Sequence, residues 1–214
     1  LETIQVSKGW NCLEVGAGAG SVAQWLSTRV GPTGKVVATD IDTRFLSHLS
    51  APNLEIRRHD IINDDLETGQ YDLVHCRYLL MHLPEPEKGL KQMANAVRPG
   101  GWLLIEEGDF GSILSIDITN PAAADLVSMW RAGFDFARKS GIMDAFFGRR
   151  VRSLIEQLEF VNMGQEGWTQ VMRVGDPIHR WVMMSIQALG KYVIALGFTQ
   201  EQVDSAQRLE VLRG

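Results

Sequence analysis

The sequence predicts an α/β fold: a doubly wound, mostly parallel sheet with helices on both faces and a C-terminal helical elaboration. Two features of the chain lead to this class. In the first half, short apolar runs alternate with segments whose apolar residues fall at helical spacing, which is typical of a parallel sheet wrapped by helices. After Glu107 this alternation stops and helical patterns dominate.

The composition is that of a folded protein and argues against two classes of partner. Of the 214 residues, 45% are hydrophobic and 22% are charged, so the chain can form a core. A formal net charge of −5, with no Lys/Arg-rich block, argues against nucleic acid. No apolar stretch approaches the roughly 20 residues that cross a bilayer, and no signal peptide is visible. We therefore expect a cytoplasmic protein with no membrane partner.

Five strands are expected in the first half, and they are placed at Asn11–Val15, Lys35–Thr39, Leu54–Arg58, Tyr71–Cys76 and Trp102–Glu106. The fifth is continuously apolar, which is typical of a buried parallel strand. Three helices should connect them. The first carries Val22, Trp25, Leu26 and Val30 and ends at Gly31-Pro32; the second is capped by Asp42 and runs through Phe45, Leu46 and Leu49; the third spans about Glu87 to Val97 and ends at Pro99-Gly100-Gly101.

The second half predicts mainly helices. Asn120-Pro121 supplies a capping side chain and a proline at the first turn, ahead of a face formed by Leu126, Trp130, Phe134 and Ala137. Further helices are expected over Arg150–Gln157, from Asp176-Pro177 (with Ile178, Trp181, Val182 and Ile186), and after a Thr199–Gln202 capping box (through Val203, Ala206 and Leu209). One strand is expected within Gly164–Val174.

A glycine-rich stretch, "LEVGAGAGSVAQWL", lies between the first strand and the first helix. Gly16, Gly18 and Gly20 permit a tight turn, and free N–H groups at the helix start offer donors to a ligand. A compact turn without a ligand would look the same. Asp40, however, ends the second strand at the position of a ribose-binding carboxylate. Together these features favour a nucleoside-bearing ligand.

The loop departs from the dinucleotide-binding pattern, because Ser21 stands where that pattern has glycine and Glu14 precedes the loop. The form acidic-x-Gly-x-Gly-x-Gly resembles motif I of the class I S-adenosylmethionine-dependent methyltransferases. The stretches "VVATDID", "RRHDI", "YDLVHCRYLLMHL" and "AVRPGGWLLIEE" resemble that family's later segments in order. The resemblance covers roughly Gly9 to Glu107 and implies a Rossmann-like methyltransferase sheet.

The resemblance implies a set of residues that bind S-adenosyl-L-methionine and its product S-adenosyl-L-homocysteine. It assigns Asp40 to the ribose hydroxyls, Asp60 to the adenine amino group, Ile41 and Ile61 to the faces of the adenine, and Cys76 and Arg77 to the methionine portion; Glu14, Gly16, Ala17, Gly18 and Gly20 belong to the loop beneath the cofactor. Taken without the resemblance, Asp40 could cap a helix, and Asp60 could bond a turn in its own loop.

By this resemblance we expect one methyltransferase domain over residues 1–214, with a cofactor-binding core at 1–110 and helical lid, substrate-side and sheet-completing elements at 111–214. The family's sheet ends in an antiparallel hairpin, of which only one candidate strand is found, so we expect a truncated chain. The partner would be a small-molecule methyl acceptor, and a homodimer is left open. An NAD(P)-dependent oxidoreductase and a non-catalytic cofactor-binding protein remain alternatives on the sequence alone.

No catalytic residue is assigned, and no Cys/His spacing of the zinc type is present, so no metal is expected. His82 is either a general base or, more ordinarily, a packed histidine bonding its turn. Asp109 either orients an acceptor or is a solvated loop residue, like its neighbours Glu106 and Glu107. The aromatic residues Trp130, Phe134, Phe136, Phe146 and Phe147 either line a substrate pocket or form core. Cys12 and Cys76 should lie at opposite strand ends and form no disulfide.

Overall fold

The computed structural model describes residues 4–114, 119–173 and 175–207, with side chains omitted over 186–191. The chain divides into two compact units, which are described separately. The first comprises Leu1–Gly108 and Phe147–Val161, and the second comprises Asp109–Phe146 and Asn162–Gly214. The cofactor-binding core was expected to end at residue 110, and no sequence pattern indicated that residues 147–161 belong to the first unit.

The first unit is built on a five-stranded, all-parallel sheet in the order β3-β2-β1-β4-β5. Its strands are β1 (Asn11–Val15), β2 (Lys35–Asp40), β3 (Leu54–Arg58), β4 (Tyr71–Arg77) and β5 (Val97–Glu106). The predicted α/β fold with a parallel sheet is confirmed. The strand order reverses between β1 and β4, and at such a switch point the carboxyl ends of parallel strands open a crevice for ligands.

The expectation that the fifth strand is buried is wrong. β5 forms the edge of the sheet, Trp102 is 43% exposed, and Leu103, Leu104 and Ile105 are only half-buried. The strand also begins earlier than expected, at Val97, and an irregularity in its register follows Tyr71. An apolar run cannot distinguish a central strand from an edge strand, because that depends on which strands pair beside it.

The first unit contains three α-helices: α1 (Ser21–Val30), α2 (Pro86–Ala96) and α4 (Val151–Ile155). The helix expected after Asp42 is only a short 3₁₀ turn, Thr43–Leu46. Asp42 caps it as predicted, by accepting from the N–H of Arg44. At the other end the Ser47 hydroxyl donates to the Arg44 carbonyl, which closes the turn. α4 is likewise shorter than the predicted Arg150–Gln157 helix.

Apolar residues cover both faces of this sheet. Val22, Ala23, Leu26 and Val30 of α1 pack against Cys12, Val36, Ala38 and Leu73 on one face. Leu13, Val37 and Val74, which alternate with those strand positions, are buried on the other. α1 contacts β1 to β3 and α2 contacts β4 and β5. Since crossovers between parallel strands are right-handed, the reversal of strand order places these two helices on opposite faces, as predicted.

The second unit is helical, with α3 (Pro121–Lys139), α5 (Pro177–Ala195) and α6 (Gln200–Gln207). The predicted caps are present: Asn120 accepts from the N–H of Ala122, and the Thr199–Gln202 box forms in both directions. The core is formed by Leu126, Met129, Trp130, Val182, Val193, Val203 and Ala206. Leu209 lies outside the described residues. No helix in the described part of the chain is long and apolar enough to cross a membrane.

The strand expected within Gly164–Val174 is not formed over the residues that the structure describes there, 164–173, which have no regular structure; Val174 lies outside the described residues. The segment has little to bury. Trp168 is 91% exposed, and every other residue from 161 to 171 is exposed as well. The β-propensity of Val171 and its neighbours is therefore not supported by a packed face.

Candidate functional site

The glycine loop connects β1 to α1 with three glycines in the left-handed region, where φ is +69° at Gly16, +55° at Gly18 and +79° at Gly20. The N–H of Ala17 donates to the Thr39 carbonyl at 2.9 Å, which ties the loop to the end of β2. Gly20 is the N-cap of α1 and offers no side-chain acceptor, so the first N–H groups of this helix have no capping side chain. Such a helix start favours a ligand with oxygen acceptors.

Asp40 is half-buried at the end of β2, and its two carboxylate oxygens each accept one N–H group. Oδ2 accepts from Gly18 at 2.8 Å, and Oδ1 accepts from Asp42 at 2.9 Å. Asp40 therefore holds the glycine loop in place. A carboxylate has about four lone-pair positions, so each oxygen retains capacity for a further donor. This is the capacity that the two hydroxyls of a ribose would require.

Asp60 follows β3 and forms hydrogen bonds within its own loop, which is the alternative to a ligand-binding role that the sequence left open. The oxygens of Asp60 accept from the N–H of Ile62 and the side-chain amide of Asn63, both in its own loop. These hydrogen bonds hold the pKa of Asp60 below its usual range. Its proposed contact with an adenine amino group thus stays a prediction, made with an oxygen that already has one donor.

The two isoleucines assigned to the adenine differ sharply in accessibility. Ile41 is 59% exposed beside Asp40, so its apolar surface is available to a planar ring. Ile61 is only 4% exposed, and a Cβ atom on Gly89 of α2 would lie 3.7 Å from its Cγ2. Ile61 is therefore largely covered by protein, and its contact with a ligand remains a prediction.

Cys76 and Arg77 end β4 with opposite environments. The Cys76 thiol is fully buried, and burial together with the negative charges of Glu107, Glu14 and Glu106 raises its pKa well above the ordinary value. Any contact of Cys76 with a ligand must therefore come from the main chain. The Arg77 side chain is exposed and donates to the Ser21 hydroxyl at the start of α1. The two cysteines are free, as predicted.

A buried charge network lies beneath the loop. Nδ1 of His75 lies 2.5 Å from Oε2 of Glu14, and Nε2 of His75 lies 3.6 Å from Oε1 of Glu106. Burial disfavours the imidazolium, but the nearby carboxylate of Glu106 and the hydrogen bond to Glu14 outweigh it and raise the pKa of His75 to about 9. The raised pKa favours a protonated His75 at neutral pH, while burial also raises the pKa of Glu14 against the opposing effect of His75.

Glu107 directly follows β5, and the sequence alone indicates only an ordinary loop acid there. Its Oε1 accepts from the N–H groups of Leu79 and Leu80 at 2.9 and 2.6 Å. Its Oε2 is buried without a hydrogen-bond partner among the described residues. Burial raises the pKa of Glu107 to about 7 against the opposing effect of these N–H groups. An acid directly after a β-strand, at the carboxyl edge of the sheet, was the available signal, but its partners are far away in sequence.

The remaining candidates are dispersed. His82 is exposed, and its main-chain N–H closes a turn with the Leu79 carbonyl. Phe147, in the first unit, is buried and lies beneath the Arg150 guanidinium. No group of His, Cys, Asp and Glu residues able to hold a metal occurs among the residues described.

In the second unit, Asp109 caps its own turn through Gly111 and Ser112. Trp130 is buried and contacts Phe134 edge-on, with ring centroids 4.9 Å apart, in the core of this unit. The two other aromatic candidates, Phe136 and Phe146, are exposed and half-buried respectively.

A search against family profiles matches residues 4–203 to a family described as "Methyltransferase domain". Among curated relatives, the methyltransferase str2 of Strobilurus tenacellus is 31% identical over 51% of this chain and 40% of its own length. The ubiquinone biosynthesis O-methyltransferase of Hydrogenovibrio crunogenus is 33% identical over 48% of this chain and 44% of its own length. The chain thus spans less than half the length of these two relatives.

Among solved structures, phosphoethanolamine N-methyltransferase 2 of Haemonchus contortus, in complex with phosphomonomethylethanolamine and S-adenosylhomocysteine, has a TM-score of 0.59. It is 17% identical and the match covers 96% of this chain and 44% of that one. At this identity the likeness is one of fold.

Proposed function

Because the chain belongs to the class I S-adenosylmethionine-dependent methyltransferases, whose methyltransferase domain profile covers residues 4–203, we propose that it transfers a methyl group to a small-molecule acceptor. S-adenosylmethionine is the cofactor of this family. The main support for this activity is the hydrogen bond by which the Asp40 carboxylate holds the glycine loop at Gly18.

The described residues fit S-adenosylmethionine at the carboxyl edge of the sheet. Asp40 keeps lone pairs for the ribose hydroxyls, and Ile41 presents exposed apolar surface beside it. Gly18 faces open space, because no atom lies within 4 Å of the position a Cβ would take there. The loop residues Glu14, Gly16, Ala17 and Gly20 and the end of β4 at Cys76-Arg77 would hold the methionine portion.

The cofactor supplies the reactive group, a methyl carbon on a positively charged sulfonium. The protein's part is to bind, to orient and to exclude water. Asp40 and the loop N–H groups would fix one end of the cofactor, and the exposed Arg77 guanidinium, which donates to the Ser21 hydroxyl, would pair with the cofactor's carboxylate. A hydroxyl acceptor would benefit from a general base, whereas an amine or an activated carbon needs alignment, and no catalytic residue is assigned while the acceptor atom is open.

The relatives and the negative net charge of the chain both favour a small-molecule acceptor. The relatives include a ubiquinone biosynthesis O-methyltransferase and ubiquinone/menaquinone biosynthesis C-methyltransferases, and these names favour a small organic acceptor. The formal charge of −5 argues against a nucleic acid acceptor. We expect residues 111–214 to contribute the acceptor-binding elements.

Calorimetric titration with S-adenosylhomocysteine and, separately, with NAD tests the cofactor assignment. Binding of S-adenosylhomocysteine without binding of NAD is expected. Binding of NAD without S-adenosylhomocysteine would overturn the proposal in favour of an oxidoreductase. Transfer of a labelled methyl group, assayed over a panel of phenols, quinols and amines, then distinguishes an enzyme from a non-catalytic cofactor-binding protein.

A further inference from the structure

The turn that follows β4 has an unusual main-chain conformation. Tyr78 has a φ of +53°, in the left-handed region that residues with a side chain rarely adopt. Its N–H donates to the Glu106 carbonyl at 2.8 Å. The next two N–H groups, of Leu79 and Leu80, both donate to Oε1 of Glu107. Since such a conformation persists only where its surroundings hold it, the end of β5 is what holds this turn.

The same turn contacts the glycine loop. The Leu79 side chain fills the space beside Gly16, where an added Cβ would lie 2.8 Å from Leu79 Cδ1. Gly16 is the first residue of the loop and has a φ of +69°. A displacement of Leu79 would therefore leave Gly16 without the side chain that packs against it.

We propose that Glu107 is a positioning residue for the cofactor seat: its carboxylate fixes the turn after β4 and, through Leu79, sets the position of Gly16. Glu107 lies 28 residues from Leu79 in sequence and acts as a capping group supplied from a neighbouring strand. It acts through the main chain of the turn and needs no contact with the ligand. The consequence for cofactor binding rests on the proposed function, but the coupling between Glu107 and the loop does not.

Hydrogen exchange of the ligand-free protein tests the coupling. We expect Glu107→Ala to speed exchange in the Gly16–Gly20 segment by about tenfold, because the turn loses the carboxyl oxygen that accepts two of its N–H groups. Leu79→Ala should have the same local effect. Glu107→Gln keeps an oxygen acceptor and should stay within about threefold of the wild type. Glu159→Ala, at an exposed acid of the same unit, should change nothing.

The dissociation constant of S-adenosylhomocysteine is measured on the same four variants. We expect Glu107→Ala and Leu79→Ala to lose about tenfold in affinity for S-adenosylhomocysteine, and Glu107→Gln to stay near the wild type. In the double variant the two losses should not add, because both residues act on one contact. Additive losses of affinity in the double variant, or equal losses of affinity in Glu107→Ala and Glu107→Gln, would instead indicate a direct contact between Glu107 and the ligand and overturn the proposal.

Unchanged exchange of the Gly16–Gly20 segment in Glu107→Ala also contradicts the proposal, and so does faster exchange spread over the whole sheet with no excess at that segment. Should Glu107→Ala fail to fold, Leu79→Ala and Glu107→Gln decide. Unchanged exchange of the Gly16–Gly20 segment in Leu79→Ala, or exchange in Glu107→Gln that is more than about threefold faster than in the wild type, rejects the coupling. Failure of the wild type to bind S-adenosylhomocysteine would remove the proposed function, while the exchange data would still decide the role of Glu107.

Discussion

Glu14 and His75 lie opposite each other on β1 and β4, with Oε2 of Glu14 2.5 Å from Nδ1 of His75 and both side chains buried. Glu14 lies two residues before Gly16, the first residue of the glycine loop. Its two charges have almost no contact with solvent, so each depends on the other for compensation. The pair therefore ties the strand that leads into the loop to the strand at the centre of the proposed cofactor site.

Removal of the Glu14 carboxylate should destabilise the protein strongly. Glu14→Ala leaves the buried His75 with only the more distant Glu106, so we expect a loss of about 3–5 kcal/mol in the free energy of unfolding. Urea denaturation measures it. Glu159→Ala removes an exposed carboxylate of the same unit and should cost less than about 0.5 kcal/mol. Equal stability of the two variants would show that Glu14 and His75 do not form a compensated pair.

The same network should make stability depend on pH. The pKa of His75 is raised from 6.5 to about 9 in the folded protein, in contact with Glu14 and Glu106 and near Arg77. Its stabilisation is therefore fully present below pH 6.5 and is lost as the pH rises towards about 9. We expect the free energy of unfolding to fall by about 2–3 kcal/mol over this range.

The double variant Glu14→Gln/His75→Gln removes this contribution together with the carboxylate whose own pKa depends on His75. The buried Cys12 and Cys76 also weaken the folded state at high pH, since burial raises the pKa of both thiols, but they do so equally in the variant. The difference in unfolding free energy between wild type and this double variant should therefore shrink as the pH rises from 6.5. A difference that is constant with pH would contradict protonation of His75.

Two glycines of the loop should respond differently to the same substitution. Both Gly18 and Gly20 have a positive φ, so alanine strains the backbone at either position. At Gly20 a Cβ would also overlap the Leu49 side chain and lie 2.9 Å from Leu46 Cδ2, whereas at Gly18 it meets nothing within 4 Å. We expect Gly20→Ala to lower the thermal midpoint more than Gly18→Ala. Equal midpoints would show that the loop repacks freely.

Gly18→Ala should instead impair ligand binding. The methyl group would stand in the open space above the loop, so the S-adenosylhomocysteine dissociation constant should rise by about tenfold while the protein stays folded. Unchanged affinity would mean that the ligand does not approach the loop at Gly18.

The two thiols should be unreactive in the folded protein. Both are buried, and desolvation raises the pKa of Cys12 to about 12, so almost no thiolate forms near neutral pH. A coloured aromatic disulfide reagent should therefore label neither cysteine under native conditions and both after denaturation. Rapid labelling of Cys76 in the native state would show that its side chain reaches the ligand crevice.

Local signals were sufficient for several elements in both units. β1 and β3 occupy the predicted ranges, and Asp42, Asn120 and the Thr199–Gln202 box cap the turns they were expected to cap. These features depend on residues a few positions apart. The strand expected near Val171 failed because propensity alone does not supply a face to bury.

The contacts that define the site were beyond sequence reasoning because they depend on register. Glu14 and His75 are 61 residues apart, and only the pairing of β1 with β4 brings them together. The role of Glu107 requires the end of β5 to meet the turn after β4. A charged residue inside an otherwise apolar strand, as Glu14 is, was the visible sign that a buried partner must exist.

The central claim, that Asp40 binds the ribose of the cofactor, is tested most directly by titrating S-adenosylhomocysteine into Asp40→Ala. Asp40→Asn serves as the control for loop geometry, because its side-chain oxygen can still accept from the Gly18 N–H, and circular dichroism verifies folding. If Asp40 binds the ribose, Asp40→Ala should stay folded and bind S-adenosylhomocysteine more than about tenfold more weakly than the wild type. An unchanged dissociation constant in folded Asp40→Ala would contradict it.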